Sequence, residues 1–349
     1  MPAQSQLLLD FKSLRENDPT IRAVDAATRL GVPEGALVEA RVATDEVTRL
    51  SPRGPDFADV IYDLKAVGPV MTLTRNDAVV HETKGPFGEI AIEGGMGQVT
   101  GDIDLRLFLR HWHAGYAIVE ETKSGVRHSI QIFDAHGSSV LKIYSLAEAD
   151  MRAWDALVAR HLSETEVSFD PPQPAKQDRP DAEINVSELR TRWKELQHSH
   201  EFFMILRDVG AGRQQALRLA GEDLAQSLPA KAATSLLEGA SAVKVPIMCF
   251  VGNPGCIQIF SGRVDRVVEM GPWLNVLDDK FNLHMRQDKV ASAWLVRKPT
   301  TARGLITSIE LFDADNTMVC QFFGSRPPGG TENPVWRELA EGLLSETVQ

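Results

Sequence analysis

Three short stretches carry the residues best placed for chemistry. In WKELQHSHEFFMIL, helical spacing sets Trp193, Leu196, His200, Phe203 and Arg207 on one face. The ordinary role of a histidine on such a stripe is a hydrogen-bonded core or boundary residue. The functional role is a neutral imidazole beside aromatic surface (Phe202, Phe203), as a flat iron macrocycle requires. His198 is expected on another side of the same helix. In GDIDLRLFLRHW, a strand turns Ile103, Leu105, Leu107 and Leu109 one way and Asp104, Arg106, Phe108 and Arg110 the other. Arg106 and Phe108 then share a face, and alone Arg106 reads as a solvated or salt-bridged strand residue. The helix opening at Gly212-Arg213 carries a cation in its first turn, the unfavourable end unless an anion sits there too. Arg297, Lys298 and Arg326 add cations to an acidic chain, and together such groups suit a ligand with two carboxylates.

The elements that position these residues come in two copies. SIQIFDAHGSSVLKIY, from Ser129, returns as SIELFDADNTMVCQFF, from Ser308, with six of sixteen positions identical. A tryptophan-led helix pattern follows each copy, at Trp154 and Trp336, and FKSL at Phe11 aligns with WKEL at Trp193. Each half is therefore a control for the other, and residues that break the match are candidates for function. On the Phe11/Trp193 alignment Asp18 stands opposite His200, an unlikely exchange for a core position. His284, in KFNLHMRQ, falls roughly opposite Arg106.

The 349 residues suit two domains rather than one core. The boundary is expected in the proline- and charge-rich stretch 163–183, read as an exposed linker between an N-terminal repeat (1–162) and a C-terminal repeat (184–349). Strands are expected at 70–74, 77–82, 88–93, 104–109, 117–121, 129–133 and 139–144. In the second half they are expected at 247–251, 256–260, 263–270, 273–277, 293–297, 307–312 and 318–323. Successive strands without intervening helices imply antiparallel sheets. The predicted class is α+β: an internal duplication of two similar halves, each with a large antiparallel sheet flanked by helices, related by a pseudo-twofold.

A net charge of −11 argues against nucleic acid as a partner. No apolar run reaches the ~20 residues of a membrane span, and no signal peptide is read before Asp10, so a cytoplasmic location is expected. Cys249, Cys256 and Cys320 lack CxxC spacing and are expected as free thiols, Cys256 as a buried structural residue rather than a nucleophile. There is no GxGxxG after a strand and no P-loop, so neither a nicotinamide site nor ATP use is inferred.

The chain resembles the cytoplasmic hemin-degrading and hemin-transport factors of Gram-negative haem-uptake systems. The resemblance covers nearly the whole chain and rests on ordered blocks: the stretch from Ile103 to Leu109, SIQIFD, His200-x-FF, RQQA at Arg213, FVGNPGCIQIF, WLNV, WLVRKPT and SIELFD. It implies haem b as ligand or substrate, with His200 as the proximal iron ligand. Arg106 would reach the distal side from the other half, and Phe108 would line that pocket. Arg213, Lys298, Gln321 and Arg326 would lie near the propionates or the pocket wall. Phe323 departs from the family's usual tyrosine, whereas Tyr144 keeps the hydroxyl in the first half. His81 matches a family histidine implicated in a second haem contact, although a strand-edge histidine is ordinarily solvated. The implied function is oxidative haem breakdown that releases iron, with an external electron donor; the alternative is a chaperone that delivers haem without turnover. An inner-membrane haem ABC transporter, a reductase or a downstream haem oxygenase are the implied partners.

Overall fold

The computed structural model describes residues 4–52, 57–122, 125–172, 177–229, 231–327 and 329–348. The first half begins with helices α1 (Gln4–Asn17), α2 (Ala23–Leu30) and α3 (Glu34–Ala40), strand β1 (Val47–Leu50) and helix α4 (Ala58–Leu64). Strands β2 (Pro69–Arg75), β3 (Val79–Pro86), β4 (Glu89–Glu93), β5 (Met96–Thr100) and β6 (Asp104–Phe108) follow. Then come β7 (Ala114–Thr122), β8 (Gly125–Phe133), β9 (Ser139–Ser145) and helix α5 (Met151–His161). The second half runs in the same order: α6 (Val186–Lys194), α7 (Glu201–Val209), α8 (Arg213–Ala220), β10 (Ala225–Leu228) and α9 (Ala232–Ala242). Its strands are β11 (Ile247–Asn253), β12 (Cys256–Gly262), β13 (Val267–Met270), β14 (Trp273–Leu277) and β15 (Phe281–Arg286). It ends with β16 (Ser292–Thr300), β17 (Gly304–Phe312), β18 (Met318–Gly324) and α10 (Pro334–Gly342).

The strands form two nine-stranded sheets, ordered β1-β7-β8-β9-β2-β3-β15-β14-β13 and β10-β16-β17-β18-β11-β12-β6-β5-β4. The α+β class and the internal duplication are thus what the chain adopts. Strands β2, β3, β6 and β15 alternate buried and half-buried residues, the period-two pattern of a strand with one face in a core. Four strands lie outside the ranges expected from the sequence. β1 and β10 have four residues each, β5 buries only Val99, and β15 interleaves Asn282, His284 and Arg286 with its buried residues. Pairing with neighbours, rather than their own apolar content, defines β1, β5 and β10, whereas β15 keeps a full apolar face of Phe281, Leu283 and Met285.

Packing divides the chain into two compact units: Met1–Arg75 with Glu82–Gln173 and Gly252–Gln258, and Asn76–His81 with Pro174–Val251 and Ile259–Gln349. Each unit includes a short hairpin segment from the other half of the sequence. An asparagine shapes each of these turns. Asn76 Oδ1 accepts from the amides of Ala78 and Val79, and Asn253 Oδ1 from those of Gly255 and Cys256. Their amide groups then donate to carbonyls on equivalent strands, Asn76 to Val319 at 2.8 Å and Asn253 to Val140 at 2.9 Å.

Each unit has its own core. In the first, Val60, Ile61, Ile130, Ile132, Leu141 and Trp154 pack together, and in the second Leu236, Ile247, Leu283, Ile309, Leu311 and Trp336. The three cysteines are free and buried; burial pushes the Cys256 thiol up to about 12, so it is no nucleophile at neutral pH. In the stretch 163–183, residues 173–176 lie outside the described residues. The rest is not uniformly exposed, because Phe169 buries its ring beside Val38, Tyr116 and Phe133.

Candidate functional site

The helix expected through His200 is interrupted. α6 stops at Lys194, residues 195–200 turn, and His200 is the cap residue before α7. The turn is closed by the Gln197 amide donating to Glu201 Oε2 at 3.0 Å and the Glu201 amide to the His198 carbonyl at 3.1 Å. The single stripe from Trp193 to Arg207 is therefore replaced by two helices separated by a turn. Phe202 is buried with its ring 4.2 Å from that of Trp193, while Phe203 is exposed.

The same turn corrects the placement of His198. Its ring does not diverge from His200 but stacks on it, with centroids 5.3 Å apart and planes at 9°. His200 is exposed, and its ring makes no hydrogen bond among the described residues.

The two halves are best registered on Gly31 and Gly210, left-handed caps (φ 66° and 71°) that end α2 and α7. Counting back from these places His200 opposite Ile21 rather than Asp18, because α1 continues well past Phe11 to Asn17 whereas α6 ends at Lys194, directly after Trp193. Counting forward places Arg213 opposite Glu34, each the first residue of its helix.

That exchange leads to the charged centre of the second unit. Arg213, poorly suited to a helix N-terminus, donates from Nε and Nη2 to the two oxygens of Glu310, each at 2.7 Å. Lys298 Nζ donates to Glu310 at 2.8 Å, and the Ser308 hydroxyl to the same carboxylate at 3.1 Å. Glu310 and Lys298 are buried and Arg213 is partly exposed. Both cations also sit over the Phe202 ring, at 5.1 Å for Arg213 and 5.2 Å for Lys298. The anion that the Arg213 position demands is thus supplied by the chain itself. Burial opposes ionisation of Glu310, but Arg213 and then Lys298 outweigh it and hold the carboxyl far below the usual range. Burial draws Lys298 down to about 8, Glu310 resisting and Arg213 adding to the fall.

The first unit reverses this arrangement. Gln131 stands at the position of Glu310 and Lys142 at that of Gln321, since Gln131 pairs with Lys142 and Glu310 with Gln321 in register. The buried ion pair there joins Lys142 to Glu34, with the carboxylate on the helix and the cation on the strand. Glu310 was not singled out in the sequence, although the glutamine-to-glutamate change within SIQIFD/SIELFD marked it.

Around this centre, Gln321 lies directly across from Glu310, and Phe323 across from Ser308. The Phe323 ring meets Phe250 edge-on at 5.2 Å and lies 5.8 Å from Lys298 Nζ. Arg326 is half-buried, burial lowers its pKa, and its Nη1 has no acceptor among the described residues. The second unit therefore combines an exposed imidazole, aromatic surface, a cluster with two cations to one carboxylate, and an unpaired guanidinium nitrogen. This donor set fits a flat acidic ligand that carries a site for nitrogen coordination.

Arg106 and Phe108 lie on the predicted shared face of β6 in the first unit. Arg106 is partly exposed, ion-paired to Asp104 on its own strand and bonded to the Leu105 carbonyl at 3.1 Å. Burial raises the pKa of Asp104 despite Arg106. His284 is the counterpart of Arg106, because β6 and β15 both run directly into a short 3-10 turn, at Leu109–His111 and Gln287–Lys289. His284 Nδ1 lies 2.7 Å from Asn275 Oδ1.

His81 departs from the solvated strand edge that was expected. Its ring is fully buried, 4.9 Å from that of Phe281, and neither nitrogen has a hydrogen-bond partner among the described residues. Burial drives its pKa down to about 3, against a smaller pull from the backbone of His81 and Cys249. Among the described residues no group of three or more His, Cys, Asp or Glu side chains is placed to hold a metal ion, and no helix is long and apolar enough to cross a membrane.

The family model of the haemin-degrading HemS/ChuX domain matches twice, at residues 31–161 and 210–343. The chain is 37% identical over 342 residues to the hemin transport protein HemS of Yersinia enterocolitica, covering 97% of each. Its structure is similar to that of holo-PhuS, a heme-binding protein from Pseudomonas aeruginosa, with TM-score 0.93, 42% identity, and 98% and 99% of the two chains covered. It is also similar to ChuS, a heme degrading enzyme of Escherichia coli O157:H7, with TM-score 0.90, 34% identity, and 98% and 99% covered.

Proposed function

The chain belongs to the haemin-degrading HemS/ChuX family, and from that premise we propose that it binds haem and, given an electron donor and oxygen, breaks the macrocycle and releases iron. The observation that carries this reading is the exposed His200 ring at the head of α7, two residues before the Phe202 ring on which Arg213 and Lys298 rest. His200 is the iron ligand in this proposal. An imidazole without a competing hydrogen bond is free to coordinate through a ring nitrogen. Haem supplies the redox chemistry and the protein positions it.

The acid side chains of the ligand are assigned to Arg213, Lys298, Gln321 and Arg326. Glu310 keeps the first two cations fixed before a ligand arrives, so less ordering is needed on binding. Arg326 Nη1 gains the acceptor it lacks within the described residues. Phe323 leaves this wall without the hydroxyl that Tyr144 keeps in the first half. Arg106 and Phe108 enter the proposal through the resemblance of their block to the family motif. The Arg106 guanidinium would offer hydrogen-bond donors to the substrate. Its Asp104 contact orients the guanidinium along the strand.

A second reading, a carrier that delivers haem without turnover in the cytosol, is favoured by the likeness to a hemin transport protein. Both readings share the ligands and differ in outcome. Purified protein is loaded with hemin without oxygen, then given reductant and oxygen with catalase present to remove free peroxide. Degradation bleaches the Soret band and releases chelatable iron, and His200→Ala and Arg106→Ala slow both. Bleaching that stops with catalase, or that is as fast in the two variants, selects the carrier.

A further inference from the structure

The stretch that leads into α6 is fastened to the second unit at one buried side chain. Gln215, the third residue of α8, is only 2% exposed. Its Oε1 accepts from the Gly212 amide at 3.2 Å and closes the first turn of α8. Its Nε2 donates to the Arg179 carbonyl at 2.6 Å and to Asp181 Oδ1 at 2.9 Å. Both donors of the amide and its oxygen are therefore engaged, the oxygen on the helix and the donors on the incoming stretch. Arg218 adds two bonds to the Asp181 carboxylate, at 2.5 and 2.9 Å.

The glycines around this turn fit the same arrangement. Gly210 has the left-handed φ that favours glycine in any surroundings, but Gly212 does not: its φ of −65° suits any residue. What Gly212 lacks is room. A Cβ there would overlap the Asp178 carboxylate, and one on Gly210 would stand 2.8 Å from Arg179 Nη1. In the first half a Cβ on the equivalent cap, Gly31, would meet nothing within 4 Å. Registered on these caps, Gly212 corresponds to Pro33 and Gln215 to Ala36, whose side chain has no group to donate. The clamp is thus a feature of the second half, the half in which the neighbouring residue is Arg213 rather than Glu34.

We infer that Gln215 is a positioning residue for the proposed haem site. It holds residues 179–181 across the start of α8 and so fixes the backbone from which Arg213 reaches Glu310. The Gln215 amide has no donor left for a ligand, so it acts through Arg213. Its role at haem rests on Arg213 being a contact for the acid groups of the ligand, whereas the clamp itself is read on Arg213 in the hemin-free protein.

Gln215→Glu separates the two sides of the clamp. The variant keeps an oxygen for the Gly212 amide but turns a carboxylate oxygen toward the Arg179 carbonyl and Asp181, which repels the stretch and spares the helix cap. Nitrogen-15 NMR of the hemin-free full chain follows the Arg213 Nε–H signal, assigned with Arg213→Gln, and Soret titration follows hemin. In Gln215→Glu the signal is expected to move upfield and exchange faster with water. Hemin affinity should fall roughly tenfold, as for one weakened charge-assisted hydrogen bond. Adding Asp181→Asn supplies a donor to the new carboxylate and should recover most of both changes. If Gln215→Glu does not fold, Asp181→Ala makes the same test on a side chain that is 44% exposed and leaves only the Arg179 carbonyl bond. An unmoved Arg213 signal in Gln215→Glu, or in Asp181→Ala where that variant is used, would overturn the inference, as would a double variant no better than Gln215→Glu. A shifted signal with unchanged hemin affinity leaves the clamp in place and takes Arg213 out of the haem site instead.

Discussion

Arg213 meets Glu310 with two parallel hydrogen bonds of 2.7 Å, and their counterparts in the first half carry a carboxylate, Glu34, and a neutral amide, Gln131. A duplicated scaffold has thus put a cation at one helix N-terminus and an acid at the other. Only the second arrangement leaves an excess of positive charge, because Lys298 joins Arg213 on a single carboxylate. The favourable helix end for an acid explains Glu34 without any ligand. Arg213 is stable where it is only because Glu310 is there.

Glu310→Gln should therefore be costly before any ligand is considered. It leaves Lys298 buried and both cations without their counter-charge, which typically destabilises by about 3–5 kcal/mol. The loss should appear in urea unfolding of the hemin-free protein. Hemin should restore more stability to this variant than it adds to the parent, because the acid side chains of the ligand replace the missing carboxylate. Equal stabilisation of both proteins would separate Glu310 from the ligand site.

Lys298 gives the site a pH dependence with a definite sign. Burial lowers its pKa from 10.5 to about 8, so the positive charge is present at pH 7 and is lost as pH rises through 8. Hemin affinity should fall across that range by roughly tenfold to a hundredfold, the equivalent of a charge-assisted hydrogen bond worth about 1.5–3 kcal/mol. Lys298→Met should bind more weakly at pH 7 and show little of this change between pH 7 and 9. Stability moves the other way. The unfolded chain holds the Lys298 proton up to 10.5, so deprotonation between about 8 and 10.5 favours the folded state. A parent whose hemin affinity is flat between pH 7 and 9 would remove Lys298 from ligand binding.

The stacked histidines make a comparison that the sequence alone would have set differently. His200→Ala should abolish the native Soret band and weaken hemin binding. His198→Ala should keep coordination, because the ring that remains is the one at the head of α7, but loss of the 5.3 Å stack should broaden the band. A normal spectrum in His200→Ala with an altered one in His198→Ala would reverse the assignment.

Most of the architecture was legible because both copies repeat the same order of helical and alternating patterns, and a β period of two is hard to mistake when one face is apolar. β5 was not, since it buries only Val99 and its pairing places it, and β15 was passed over although Phe281, Leu283 and Met285 alternate regularly along it. Arg213 was recognisable as a cation in the wrong helical turn, but its partner lay 97 residues away on a strand, a separation that no local pattern records. The break at 195–200 was missed for the opposite reason. Its residues fit a helical stripe, and the turn depends on Glu201 reaching back to the Gln197 amide. Nor did spacing show which face of β3 would be sealed, and that left His81 read as solvated.

His81 supplies the clearest stability test. Its imidazole is buried, neutral and without a hydrogen-bond partner among the described residues, with its pKa driven from 6.5 down to about 3. The unfolded chain therefore takes up a proton below 6.5 that the folded protein refuses until about 3, and stability must fall as pH drops through that window. The slope for one such group is about 1.4 kcal/mol per pH unit, so the fall between pH 7 and 5 is about 2 kcal/mol from His81 alone. His81→Leu, which fills similar space against Phe281 without titrating, should lose that much less stability than the parent over the same step. Other acid-sensitive groups, Glu310 foremost, contribute equally to both proteins and cancel in the difference. Urea unfolding of parent and variant at pH 7 and pH 5 measures it. The same pH dependence in both would mean that the ring is protonated in the folded state, and so has a route to solvent or an acceptor.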